Sequence, residues 1–259
     1  MSAATWLMNQ ADAFFGSDER RPVARPDSFR FCSSCGAMRP AHELFSWSLN
    51  PSAKSFLTDA QTFTCHVCVQ GADGRRGRLQ AARISRVFCG WCDDGTSAEA
   101  LRSWKSMPGN EANCLAAGRL LGEMLLWRCD DDILMKSGFS QGNVLVPVPG
   151  WWERRLRRGF DAPHRLAEGI SEILGWPVWC PLSRVHGGRA AGKSQRERQK
   201  TSSRLFRLRS DTRRSLAGGC NLWLVDDLLA SGSTSAAAST LLFRLRPHSV
   251  VLVTANVRN

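Results

Sequence analysis

No stretch of this 259-residue sequence approaches the roughly 18 consecutive apolar residues of a membrane-spanning helix, so no membrane span is expected. Residues 1–15 lack a basic start and a long apolar run before a cleavage site. They therefore do not read as a secretory leader, and the chain reads as cytoplasmic. Acidic residues are few, 23 against 35 Lys and Arg, and the net charge of +12 points to a polyanionic substrate or partner. Tyrosine is absent beside ten tryptophans, and nothing in the sequence accounts for that. No general base is evident either, since His164, His186 and His248 read as surface residues. The length allows one large or two modest domains with a core that needs no disulfides.

Charge and cysteine are unevenly distributed. Residues 150–214 hold 16 basic and 6 acidic side chains, so one quarter of the chain carries most of the positive surplus. Of ten cysteines, six fall in Cys-x-x-Cys pairs, which in a reducing compartment suit metal better than disulfides. Cys32 and Cys35 form one knuckle, Cys65 and Cys68 a second, 29 residues apart. Two residues between thiolates place both sulfurs on one side of a tight turn, and two such turns complete a tetrahedral shell for a structural Zn²⁺. A third pair, Cys89 and Cys92, offers an alternative partner for Cys65 and Cys68, leaving Cys32 and Cys35 to ligands such as His42 or His66. Spacing does not choose between these.

The stretch Leu222-Trp223-Leu224-Val225-Asp226-Asp227-Leu228-Leu229-Ala230-Ser231-Gly232-Ser233-Thr234 carries the strongest signal. Its first four residues read as a buried strand, ended by two carboxylates. Ala230, Ser231, Gly232, Ser233 and Thr234 then form a small hydroxyl-bearing loop ahead of a helix. Such a loop aims backbone N–H groups at a phosphate, with the helix dipole favouring negative charge. Asp226 and Asp227 are candidates to hold sugar hydroxyls or a hydrated Mg²⁺.

Residues 1–28 read as an extension and 29–95 as a Cys-rich zinc-binding module. From about residue 98 helical and strand patterns alternate, predicting βαβ units and a mostly parallel sheet. Helices are expected at 99–107 and 111–128, strands at 143–149, 178–182, 222–225 and 250–254, and a helix from Pro163 ended by Gly175. The segment 184–204, rich in Gly and basic residues, reads by composition as a solvated basic loop.

The strand, carboxylates and loop resemble the phosphoribosyl pyrophosphate motif of type I phosphoribosyltransferases, with Ala230 standing where that family usually has a hydroxyl residue. Val146-Pro147-Val148-Pro149 followed by Arg154-Arg155-Leu156-Arg157-Arg158-Gly159-Phe160-Asp161 is similar to the ComF competence family, with Asp161 replacing its usual Asn. That family also places a Cys-x-x-Cys zinc module before a phosphoribosyltransferase domain. The resemblance covers residues 98–257. It implies an α/β fold of the type I phosphoribosyltransferase kind, a mostly parallel sheet flanked by helices at 98–259, preceded by a small zinc-binding module. It also implies phosphoribosyl pyrophosphate with Mg²⁺ as ligand, Arg154, Arg155, Arg157 and Arg158 near the pyrophosphate or a nucleic acid, and the segment 184–204 as a mobile loop that closes over the ligand, as an alternative to a solvated loop. Three functions follow: transfer of ribosyl phosphate to an unknown acceptor, binding of a nucleotide or single-stranded DNA during DNA uptake without turnover, or docking of other DNA-uptake proteins by a degenerate enzyme domain. Two adjacent carboxylates argue against degeneration.

Overall fold

The structure is a computed structural model and describes residues 78–92, 109–128, 142–185, 205–210 and 219–257, with four short strands ahead of them. Those are β1 (Phe29–Phe31), β2 (Met38–Pro40), β3 (Leu44–Trp47) and β4 (Thr62–Cys65). β1 pairs with β2 and β3 with β4, both antiparallel. Of the four cysteines expected to hold zinc, Cys65 closes β4, while Cys32, Cys35 and Cys68 lie outside the described residues.

The main sheet contains β5 (Ile84–Cys92), β6 (Asn143–Pro147), β9 (Asn221–Leu229) and β10 (Ser249–Val257) in the order β5-β10-β9-β6, every neighbouring pair parallel. Between β6 and β9 in sequence, β7 (Leu182–Arg184) and β8 (Phe206–Leu208) form an antiparallel hairpin. Helices α1 (Glu111–Arg128), α2 (Trp152–Arg158), α3 (Ala162–Leu174) and α4 (Ser233–Leu242) flank the strands, with a helical turn at 78–81 ahead of β5 and a 3-10 turn, Phe243–Leu245, after α4.

Parallel strands covered on both sides need apolar residues facing both ways. β10 supplies them, with every residue from Val250 to Val257 buried. One face of the sheet, including Val251, Val253 and Trp223, packs under α1 and α3 through Leu121, Leu125, Leu166 and Ile170. The other, including Val250, Leu252, Leu222 and Leu224, packs against Ala238 and Leu242 of α4, with Leu182 and Phe206 of the hairpin. α1 and α3 approach so closely that glycine is needed where they touch. A Cβ on Gly169 would lie 2.2 Å from the Leu115 carbonyl oxygen, and one on Gly118 2.3 Å from that of Leu166.

The amino edge of the sheet is fixed by a polar ladder across strands in register. Asn221 Nδ2 and Trp223 Nε1 donate to Asn143 Oδ1 at 3.2 and 2.9 Å, and Ser249 Oγ donates to Asn221 Oδ1 at 2.6 Å. Trp223 also lies against Trp176 and Phe88, with ring centroids 4.7 and 5.6 Å apart.

Several expectations change. The helix at 111–128 has the expected bounds, and Gly175 ends α3 with φ 68°, its N–H on the Ser171 carbonyl. The helix expected at 99–107 lies outside the described residues. The strand expected at 178–182 is reduced to a single bridge between Leu145 and Val178, because Pro177 and Pro181 have no N–H for a ladder. Pairing resumes only at Leu182. The basic segment after Pro149 is the short helix α2. β9 does not stop at the carboxylates; it runs through them to Leu229, held by β10 up to Val257.

β5 is the largest departure. It lies within the stretch assigned to the Cys-rich module, so the main sheet recruits chain from before residue 98. It also contains Cys89 and Cys92, which sit in extended strand rather than in a turn. Cys89 is buried in the core cluster on the α4 side.

Candidate functional site

In a parallel α/β sheet the carboxyl ends of the strands face the ligand. Here β6 ends at Pro147, opposite Val225, and the Val148 N–H then donates to the Val225 carbonyl at 2.8 Å. β9 continues past that point with a neighbour on one side only. Asp226 and Asp227 are therefore the first residues of β9 freed from β6. The next N–H on that side, from Gly150, donates to the Asp161 carboxylate instead of to β9, so the ladder ends there.

The two carboxylates leave the strand on opposite faces, as alternation requires. Asp226 is 7% exposed and turns toward α4; it accepts the Asp227 N–H at 2.9 Å and the Ser235 hydroxyl at 3.2 Å. Asp227 is half-buried, and its charge acts on the guanidinium of Arg158. Opposed directions suit contact with a ligand's hydroxyls and a hydrated cation better than direct chelation of one ion by both groups. Oxygen donors of this kind fit Mg²⁺.

After Leu229 the chain turns through Ala230, Ser231 and Gly232 into α4. Gly232 has φ 75°, a left-handed conformation that favours glycine, and serves as the N-cap. As N-cap, Gly232 has no side chain to offer, no acidic residue occupies the first turn, and the Ser233 N–H makes only a long contact, 3.4 Å, to the Ser231 hydroxyl. Its leading N–H groups thus keep their pull on an anion. The Ser231 and Ser233 hydroxyls hydrogen-bond at 2.9 Å, and Thr234 follows, half-buried.

The four arginines expected to act together are not equivalent. Arg158 is half-buried, with its Nε buried and unpartnered; burial lowers its pKa, countered by Asp227. Arg155 lies 3.5 Å from Asp161 Oδ2. Arg154 and Arg157 are exposed.

Three residues that the sequence reading left unassigned join this edge. Asp161 accepts the Gly150 N–H with both oxygens, at 3.3 and 3.1 Å, and ties the turn after Pro149 to the start of α3. Arg184 of β7 reaches the Pro149 carbonyl at 3.5 Å and lies 5.6 Å from the Phe206 ring centroid. Burial lowers its pKa, opposed first by Asp226. Arg78, from a helical turn ahead of β5, donates from Nε to the Ser231 carbonyl at 2.8 Å. The basic surplus and the Gly-Phe-Asp stretch pointed weakly at Arg184 and Asp161; nothing local pointed at Arg78. The rest of the segment expected to close over a ligand, 186–204, lies outside the described residues.

Burial raises the pKa of Asp161, with the Gly150 N–H and Arg155 opposing. A raised carboxyl pKa contributes stability below the ordinary value near 3.8, and this is lost as pH rises through the folded value. Asp161→Asn keeps an oxygen for the Gly150 N–H and removes the charge. Thermal unfolding followed between pH 3.5 and 7 should therefore show the variant losing less stability than wild type as pH rises.

Compared with known proteins, the chain matches no family model. Over 99 residues it is 35% identical to "Competence protein ComFC" of Bacillus subtilis (strain 168). The match spans 38% of this chain and 38% of the length of that curated relative. The chain is thus similar, over part of its length, to a competence protein.

Proposed function

We propose that the chain binds phosphoribosyl pyrophosphate with Mg²⁺ at the carboxyl edge of β6 and β9, and transfers ribosyl phosphate to an acceptor. The observation that carries this reading is the meeting of the glycine-capped amino end of α4, two strand carboxylates and the half-buried Arg158 at one sheet edge. Each part has a counterpart in the ligand. The loop at 230–234 suits the sugar phosphate, Asp226 and Asp227 suit ribose hydroxyls and the cation, and Arg158 with Arg154 suits the pyrophosphate. In the reaction the bond from ribose C1 to pyrophosphate oxygen breaks as a bond from C1 to the nucleophile forms. Positive charge then builds on the sugar and negative charge on the leaving group, and these residues would stabilise both. Mg²⁺ would add charge at the pyrophosphate.

The partial likeness to a competence protein supports a role in DNA uptake. One feature favours a second, non-catalytic reading in which the same face binds single-stranded DNA. α2 buries none of its residues, and exposes Trp152 at 54% and Leu156 at 74% among Arg154, Arg155 and Arg157. Aromatic faces stack on bases while arginines neutralise phosphates. Zinc in the Cys-rich module, held by Cys32, Cys35, Cys65 and Cys68, is proposed as structural.

Calorimetric titration of the zinc-loaded chain with phosphoribosyl pyrophosphate, with and without Mg²⁺, tests the first reading. Mg²⁺-dependent binding is expected. Absence of binding, together with steeply salt-dependent affinity for a single-stranded oligonucleotide, would transfer support to the second.

A further inference from the structure

We propose that Arg78 is a phosphate-binding residue, its guanidinium completing the loop at 230–234 so that the site selects ligands carrying a terminal phosphate monoester. The inference rests on the sugar-phosphate reading above and adds to it a residue lying far outside the strand–loop–helix motif.

The placement of Arg78 is determined by more than its own flexible side chain. Its Nε donates to the Ser231 carbonyl at 2.8 Å, across 153 residues of sequence. Four residues on, the Ala82 carbonyl accepts the buried Ser239 hydroxyl of α4 at 2.8 Å. Next to it, the guanidinium of Arg83 lies 5.5 Å from the centroid of the Phe243 ring, just past the end of α4. One short segment ahead of β5 is thereby attached to the loop, the middle and the far end of the same loop–helix unit.

The Ser231 carbonyl explains why a cation belongs there. A carbonyl oxygen on the rim of a phosphate loop presents negative charge to the ligand. Bonded to a guanidinium, that oxygen is compensated and instead orients the fork. A guanidinium has five N–H donors, of which the carbonyl engages one. A phosphate dianion suits the planar fork, and a hydroxymethyl group in its place offers it no charge. Arg78 thus separates ribose 5-phosphate from ribose, and a nucleotide from a nucleoside, at the end of the ligand remote from the arginines of α2.

Wild type, Arg78→Gln and Arg78→Lys, each as the full zinc-loaded chain, are titrated with ribose 5-phosphate, phosphoribosyl pyrophosphate and pyrophosphate in Mg²⁺. The expected result is an affinity loss of about ten- to hundredfold for both sugar phosphates in Arg78→Gln, from one charged hydrogen-bonding partner. Pyrophosphate affinity should be unchanged, and Arg78→Lys should recover part of the loss because it restores charge without the fork. Unchanged sugar-phosphate affinity in Arg78→Gln overturns the inference. So does an equal loss for pyrophosphate, which would mark general damage to the fold. A wild-type chain that binds neither sugar phosphate overturns the underlying reading of the site, and so separates the two failures.

Discussion

Replacing Asp226 and Asp227 together by asparagine is expected to abolish Mg²⁺-dependent binding of phosphoribosyl pyrophosphate, an affinity loss of about a hundredfold or more, corresponding to two charge-assisted contacts. Asparagine keeps the shape of each side chain and one oxygen. The Ser235 hydroxyl can therefore still donate to residue 226, and the attachment of α4 to β9 survives. What disappears is the negative charge that, on the proposed reading, would hold a hydrated cation and orient ribose hydroxyls. The single variants should differ. Asp227→Asn also leaves Arg158 without the carboxylate that offsets its neighbours Arg154 and Arg157. Its pyrophosphate affinity in the absence of Mg²⁺ should rise, since a nearby anionic competitor has been neutralised. Asp226→Asn should not show that gain, because Asp226 faces α4. Calorimetry with and without Mg²⁺ reads both effects, and a double variant that binds like wild type would refute the role of the carboxylates.

The second large effect concerns stability. Gly169→Ala is expected to destabilise the fold by about 2–3 kcal/mol, the upper part of the roughly 1–3 kcal/mol range for forcing extra volume into a close-packed contact. The added methyl would lie 2.2 Å from the Leu115 carbonyl oxygen and 2.7 Å from the Arg119 nitrogen. Both are backbone atoms of α1, so no side chain can rotate away. Relief requires α1 and α3 to separate, opening the core around Leu121, Leu166 and Ile170. Alanine ordinarily favours a helix over glycine by roughly 1 kcal/mol, so a net loss isolates the packing cost. Gly118→Ala should behave alike from the other side of the contact, with its methyl 2.3 Å from the Leu166 carbonyl oxygen. Thermal unfolding should shift by about 2–4 °C for each kcal/mol. An unchanged midpoint for both variants would mean that the helices do not cross as described.

The site was partly legible in the sequence because part of it is local. A short apolar run, two carboxylates and a small loop ahead of a helix are neighbours along the chain, so their order shows at the level of letters. The reading nevertheless ended β9 four residues early, taking the carboxylates as strand breakers. Pairing with β10 overrides that preference, since Thr254 stands opposite Asp226 and Val257 opposite Leu229. The same limit hid β5. Its place in the sheet depended on β10 offering an edge some 165 residues later.

By itself, the sequence determined the α/β alternation, the bounds of α1, the stop of α3 at Gly175 and the motif around Asp226, Asp227 and Gly232. Each of these depends on propensities, caps and periodicities that act within a few residues. Only the tertiary structure decided that β5 joins the sheet, that Arg158 rather than Arg154 or Arg157 turns inward, and that Asp161, Arg184 and Arg78 converge on one edge. Those outcomes follow from strand order, register and the direction in which each side chain leaves its element. Contacts of this kind join residues 153 or more positions apart, as Arg78 to Ser231 and Ile84 to Val250 do, and no local pattern carries information over that distance.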